Sequence, residues 1–180
     1  MRSFLRFLSI VCIILGIGSL LFATSLLFAR YNPNRLSFNR TPEFIEQRQD
    51  SSEFVSISIN NVGINLPIET TTIENDKWGI SKNAVSYLSG SALPGQIGNS
   101  IFYGHNYNSI LGNLVETKPG DIITVFYKDG SKKDFVIRYT FEVSPKDTSI
   151  LSQSNERMLT IYTCSGLFDT KRFVAVAFAV

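Results

Sequence analysis

The chain opens with one long apolar block and continues in short alternating runs. Residues 7–28 read Phe-Leu-Ser-Ile-Val-Cys-Ile-Ile-Leu-Gly-Ile-Gly-Ser-Leu-Leu-Phe-Ala-Thr-Ser-Leu-Leu-Phe without a charge. As a helix this block spans about 33 Å, enough to cross a bilayer core. It is longer than the apolar region of a secretory signal, and no clear cleavage site follows, so an uncleaved anchor is expected. The alternative is a buried core helix, but no other segment has matching length to cover it.

From residue 54 the period falls to two. Val55, Ile57 and Ile59 alternate with Ser56 and Ser58, Asn60-Asn61-Val62-Gly63 turns the chain, and Ile64, Leu66 and Ile68 alternate again. That is the pattern of a β-hairpin. Residues 100–103, 121–127, 134–143, 158–164 and 172–180 are further predicted strands, with a tight turn at Asp129-Gly130. Residues 81–89 place Ala84, Val85 and Leu88 at helical spacing; 108–115 and 149–153 are two more short helix candidates. The predicted class is mainly β. Seven to eight short strands with two or three short helices point to a closed barrel or a sandwich, preceded by one transmembrane helix. Closure would remove unpaired strand edges.

This divides the chain into a tail (1–6), an anchor (7–28), a stalk (29–53) and one domain (54–180). The stalk carries Pro33, Pro42 and several Asn and Gln, with a short helix possible at 43–49. Charge follows the same division. The formal net charge is +2, but residues 1–40 hold five Arg and no acid. The rest holds eight Lys, four Arg and fifteen acids, a net −3. The basic charge therefore sits beside the membrane, where it can meet anionic headgroups. The domain has no basic excess to suggest nucleic-acid binding. Arginines on both sides of the block leave its orientation open: Arg2 and Arg6 precede it, and Arg30, Arg35 and Arg40 follow.

Candidate chemistry is sparse. The chain has two cysteines and one histidine. Cys12 lies in the apolar block, which leaves Cys164 as the domain's thiol and allows no disulfide within the domain. Cys164 and His105 each end an apolar run, as if two strands presented a thiol and an imidazole. Arg172 follows eight residues after the cysteine. Taken singly, each has a plainer reading: a small buried thiol, a turn residue and a solvated strand-end charge. Lys171 rivals Arg172. Taken together they supply a nucleophile, an acid/base partner and a fixed cation. A guanidinium offers planar, permanently charged donors to an oxyanion. One Cys and one His do not make a structural zinc site, so no metal is expected.

Order and context resemble the sortases, membrane-anchored cysteine transpeptidases of mainly Gram-positive bacteria. The family's Thr-Leu-x-Thr-Cys motif is matched by Thr160-Ile161-Tyr162-Thr163-Cys164, with Ile for Leu. Arg172, in Thr170-Lys171-Arg172-Phe173-Val174, matches the family's arginine. Ser91-Ala92-Leu93-Pro94-Gly95-Gln96-Ile97-Gly98-Asn99-Ser100, running on to Gly104-His105-Asn106, matches its histidine segment. Ile64-Asn65-Leu66-Pro67-Ile68 and Trp78-Gly79-Ile80-Ser81 resemble earlier family segments. The likeness covers nearly all of residues 54–180.

The resemblance implies a sortase-like closed β-barrel with Cys164, His105 and Arg172 as catalytic residues. Thr163 is a weaker candidate for lining the site. The implied reaction cleaves a C-terminal sorting motif (Leu-Pro-x-Thr-Gly in many members), forms a thioester on Cys164 and transfers the acyl part to an amine. Implied partners are secreted proteins with that signal, a peptidoglycan stem peptide or pilin lysine, and the bilayer. The implied placement is N-terminus cytoplasmic, domain extracellular. The short Cys164–Arg172 connection and the absence of an aromatic anchor in residues 41–53 lean toward the compact class D or E type without a lid. No cofactor is expected. Calcium activation, known in some members, finds only Asp147 and Glu156 nearby, with Glu74 and Asp76 distant in sequence. Two other functions fit the residues: a tethered non-catalytic β-domain, told apart by thiol reactivity, and a hydrolytic cysteine peptidase, told apart by amine-dependent product.

Overall fold

The computed structural model describes residues 2–30, 36–38, 54–74 and 77–180. The expected stalk helix at 43–49 lies outside them. The chain forms two compact units, 1–35 and 36–180. The first holds one helix, α1 (Arg2–Arg30). Its segment Arg6–Phe28 is long and apolar enough to cross a membrane. Ile13, Leu20 and Phe22 stand exposed along it, which a soluble core helix would not allow. The hydroxyls of Ser19 and Thr24 donate to the carbonyls of Gly16 and Leu21 at 2.9 Å, so these polar groups are satisfied within the helix.

The second unit is built on strands β1 (Phe54–Ile59), β2 (Ile64–Thr71), β5 (Val85–Leu88), β6 (Gly98–Tyr103), β7 (Ile122–Tyr127), β8 (Lys132–Val143), β9 (Arg157–Ser165) and β10 (Lys171–Ala179). They close into a barrel in the order β1-β2-β5-β6-β9-β10-β8-β7. Two short strands, β3 (Ile73–Glu74) and β4 (Lys77–Trp78), pair apart from it. Neighbours run antiparallel except β2 with β5 and β6 with β9. Among the described residues the remaining helical pieces are short 3-10 turns, including Gly112–Glu116 and Ser149–Leu151 within two of the predicted helices.

The third predicted helix, at 81–89, is replaced by strand β5. The Ser81 hydroxyl accepts the amides of Asn83 and Ala84 at 3.3 and 3.0 Å, and the Ser86 hydroxyl accepts the amide of Ser81 at 2.9 Å. These local bonds compete with a helical turn. The following four residues are buried and pair with β2 and β6. A short run buried on both faces carries no period by which to tell strand from helix.

Alternation along the strands sorts side chains into two apolar clusters. Ile57, Ile59, Ile123, Val125, Phe135, Ile137, Leu159, Ile161, Ala175 and Ala177 share the first. Tyr103, Tyr162, Cys164, Val174 and Val176 share the second, with Trp78, Ile150 and Leu151. On β9 and β10 the two sets alternate residue by residue, so the first fills the barrel and the second lies on its outer wall.

The outer cluster also holds Leu36 and Phe38, both buried. Phe38 meets Tyr162 edge-on, centroids 5.2 Å apart, and lies 6.1 Å from Trp78. These two residues fall in the segment read as stalk, so the compact unit begins at Leu36 rather than Phe54. Phe38 lies upstream of residues 41–53, the stretch expected to lack an aromatic anchor, and that stretch is outside the described residues. Truncating such side chains costs about 2–5 kcal/mol. A fragment from residue 34 carrying Leu36→Ala or Phe38→Ala should unfold at clearly lower urea than its parent. An unchanged midpoint would mean that neither belongs to the core.

Candidate active site

Three adjacent strands end at one corner of the barrel. β6 and β9 run parallel, with Ile101 opposite Thr160 and Tyr103 opposite Tyr162. Beyond the strand end the Gly104 amide donates to the Tyr162 carbonyl at 3.3 Å, and the Thr163 hydroxyl donates to the Gly104 carbonyl at 2.8 Å. The register thus continues past β6 and sets His105 level with Cys164. On the other side, Arg172 of β10 is the antiparallel partner of Cys164. Cys164 and Arg172 are thus direct partners on β9 and β10, and His105 lies two residues beyond the end of β6, alongside them. The Thr163 hydroxyl is used in the tie that aligns two of them.

Local sequence explains each placement. A Cβ on Gly104 would stand 3.1 Å from both Ile110 and Leu111, so the residue before His105 must be small for the chain to turn against that wall. The His105 carbonyl accepts the amide of Leu111 at 3.0 Å, and its ring stacks on Tyr107, centroids 5.0 Å apart and planes 12° apart. Cys164 and Tyr162 share the outer face, and the thiol residue is only 4% exposed. Arg172 is 3% exposed. Its Nη1 donates to the carbonyls of Asp169 and Lys171 at 3.1 and 2.9 Å, and its Nη2 to the carbonyl of Ser37 at 3.3 Å. Lys171, the rival cation, points away and pairs with Glu142 at 2.7 Å on the surface.

The electrostatics follow from burial. Partial burial pushes the His105 pKa below its usual value, and the nearby Asp169 carboxylate opposes that shift. Burial pushes the Tyr103 hydroxyl up to about 12 and the Tyr162 hydroxyl well above its usual range. Both phenols stay protonated and act as donors: Tyr103 to the Gly79 carbonyl at 2.6 Å, Tyr162 to the Leu36 carbonyl at 3.5 Å. Among the described residues, no three or more His, Cys, Asp or Glu side chains gather to hold a metal ion. The Asp147 carboxylate accepts the amide of Ser149 at 3.1 Å in a turn.

Sequence reasoning missed Leu36-Ser37-Phe38, Asn106 and Asp169. The first lay in a segment whose polar flanks read as linker. The signal for the other two was there: Asn106 is next to the lone histidine, and Asp169 lies in the short loop between Cys164 and Arg172.

Comparison with known proteins agrees with the barrel fold. Sortase C1 of Streptococcus agalactiae superposes with a TM-score of 0.61 at 24% identity, covering 74% of this chain and 70% of that one. A sortase D5 transpeptidase of Clostridium perfringens gives 0.60 at 24%, covering 75% and 83%. Sortase A of Corynebacterium diphtheriae gives 0.61 at 24%, covering 88% and 83%. At this identity the likeness speaks for the fold. Comparison with curated protein sequences returns no match. The model of the sortase domain matches residues 57–180, the barrel and its corner included, and the chain belongs to the sortase family.

Proposed function

We propose that this chain is a cysteine transpeptidase that cleaves a C-terminal sorting motif of secreted proteins and joins the acyl part to an amine. The observation that carries the reading is the backbone pairing that sets Arg172 opposite Cys164 on one side and, through the Gly104 bonds to Tyr162 and Thr163 just past β6, brings His105 alongside on the other. The Cys164 thiolate attacks the scissile carbonyl carbon. The His105 imidazolium gives its proton to the departing amine, leaving a thioester on Cys164. A second amine then attacks the thioester carbonyl, His105 takes up the proton released, and the thiolate returns. These steps use side chains alone and call for no cofactor.

Arg172 fits the role of carbonyl clamp in a specific way. It already holds a peptide carbonyl, that of Ser37, with Nη2, while Nη1 is fixed by two carbonyls of its own loop. A substrate carbonyl or oxyanion would take the place of Ser37, and the segment Leu36-Ser37-Phe38 would have to give way. The family and the apolar helix α1 support a membrane anchor. In this reading the domain lies outside the membrane, where secreted substrates and a peptidoglycan stem or pilin lysine are met. The short loop between Cys164 and Arg172 keeps the class D or E subtype as the proposed one.

Cys164→Ala should abolish both cleavage of a sorting-motif peptide and transfer to an added amine, with an unchanged circular dichroism spectrum. Cleavage by that variant near the parent rate would remove Cys164 as nucleophile. In the parent, the amine-linked product should rise with amine concentration; a product that ignores the amine would point to a hydrolytic peptidase.

The two cations of β10 separate by chemistry. Arg172→Lys keeps the charge and loses the fork, so the barrier to turnover should rise by about 2–4 kcal/mol. Lys171→Ala removes only a surface pair, worth about 0–1 kcal/mol, and should leave turnover near that of the parent. Steady-state kinetics of both variants check this; the reverse ranking would overturn the assignment of Arg172.

A further inference from the structure

The loop from Gly166 to Thr170 joins the strand of the nucleophile to the strand of the arginine. It contains the only two non-glycine residues with positive φ among those described, Phe168 at 56° and Asp169 at 57°. Side chains other than Asn, Asp and Gly rarely adopt this conformation, so something must hold the loop in it. Asp169 makes the bonds that do. Its amide donates to the Gly166 carbonyl at 3.1 Å, closing the turn. Its carbonyl accepts Nη1 of Arg172 at 3.1 Å. Its carboxylate Oδ1 accepts Nδ2 of Asn106 at 3.0 Å, across 63 residues of sequence. Asn106 directly follows His105. One residue therefore touches the arginine and the neighbour of the histidine, from the loop that follows the nucleophile.

We propose that Asp169 is a positioning residue for His105: through Asn106 it fastens the histidine segment to the Cys164–Arg172 loop, and its carboxylate supplies the counter-charge to the imidazolium. This rests on the transpeptidase reading for its purpose, not for its geometry. The identity of the residue carries the argument. A left-handed position accepts Asn as readily as Asp, and an amide oxygen would accept the Asn106 hydrogen bond equally well. Only the charge distinguishes Asp here. Among the described residues, the other titratable groups that the adjoining elements bring to this corner are the Cys164 thiol and the Tyr162 phenol of β9 and the Arg172 guanidinium of β10. Tyr107 stacks on the ring from the histidine's own segment, and Lys171 is engaged with Glu142. Asp169 is thus the carboxylate of the corner, and it acts against the burial that disfavours a charged His105.

The chain's single histidine makes the test direct, because one imidazole signal titrates in the nuclear magnetic resonance spectrum. Asp169→Asn keeps the backbone conformation and the bond to Asn106 and removes the charge. The His105 midpoint should fall by about 0.5 pH unit, the size expected of one unit charge at short range in a half-exposed site. The peptide turnover number should fall with it, KM changing less. Asn106→Ala cuts the tether and leaves the charge: turnover should again fall, with a smaller change in the His105 midpoint. A midpoint in Asp169→Asn within about 0.1 unit of the parent overturns the counter-charge, on the scale set by that expectation. Parent-like turnover in Asn106→Ala overturns the tether, and this variant leaves the strained loop backbone untouched should Asp169→Asn fail to fold. A parent chain that cleaves no sorting peptide would overturn the transpeptidase reading, while the midpoint shift would still uphold the pairing of Asp169 with His105.

Discussion

The parallel pairing of β6 with β9 is the constraint on which the rest depends. Adjacent parallel strands cannot be joined by a tight turn, so the chain must travel far between them. Here it uses that distance to build β7 and β8, half of the wall that closes the barrel on its other side. The same pairing ends both strands at one corner, in step, and the Thr163–Gly104 bond extends the register just far enough to include His105. Shifting the pairing by one residue would turn Cys164 into the barrel and Thr163 out of it. The hydrophobic filling of the barrel by Leu159 and Ile161 opposes that slip. The geometry of the corner is therefore maintained by ordinary core packing several residues away.

Burial on the outer wall is the second organising fact. A strand with both faces covered needs a covering layer, and for β9 that layer includes residues from upstream of the barrel. Tyr162 and Cys164 stand on this wall under Phe38 and Leu36, with Tyr103 stacked on Tyr162 at 13°. Burial that protects the wall also withdraws the thiol from solvent. It places a self-derived peptide carbonyl on Arg172 at the position where the proposed chemistry needs a foreign one. Stability of the domain and exposure of Cys164 are set against each other by the same few contacts.

Much of this was legible in the residues. Period-two alternation located β1 and β2 within a few residues, and short apolar runs located β6, β7, β8, β9 and β10. It failed at β5, whose four residues are all buried and whose entry is tied by Ser81 and Ser86. The lone Cys, the lone His and Arg172 could be named because each is conspicuous by scarcity or by motif. Asp169 and Asn106 were marked only by their places beside the lone histidine and in the loop after Cys164, a weak signal because acids and amides in loops are common, and the fold shows that the two loops touch. Leu36 and Phe38 were hidden for the opposite reason: two apolar residues among polar ones form no period, and their partners are far away in sequence.

Trp78 gives one of these features a practical consequence. It is the chain's only tryptophan, and it lies between Phe38 and Tyr103, whose ring stacks in turn on Tyr162, two residues before Cys164. Its indole is buried, and Phe38 packs against it with centroids 6.1 Å apart. Were the proposed chemistry to move Phe38 aside, the indole would lose this neighbour and its emission would shift to the red. The fluorescence of Trp78 would then report, without a label and without turnover, whether Phe38 is in place.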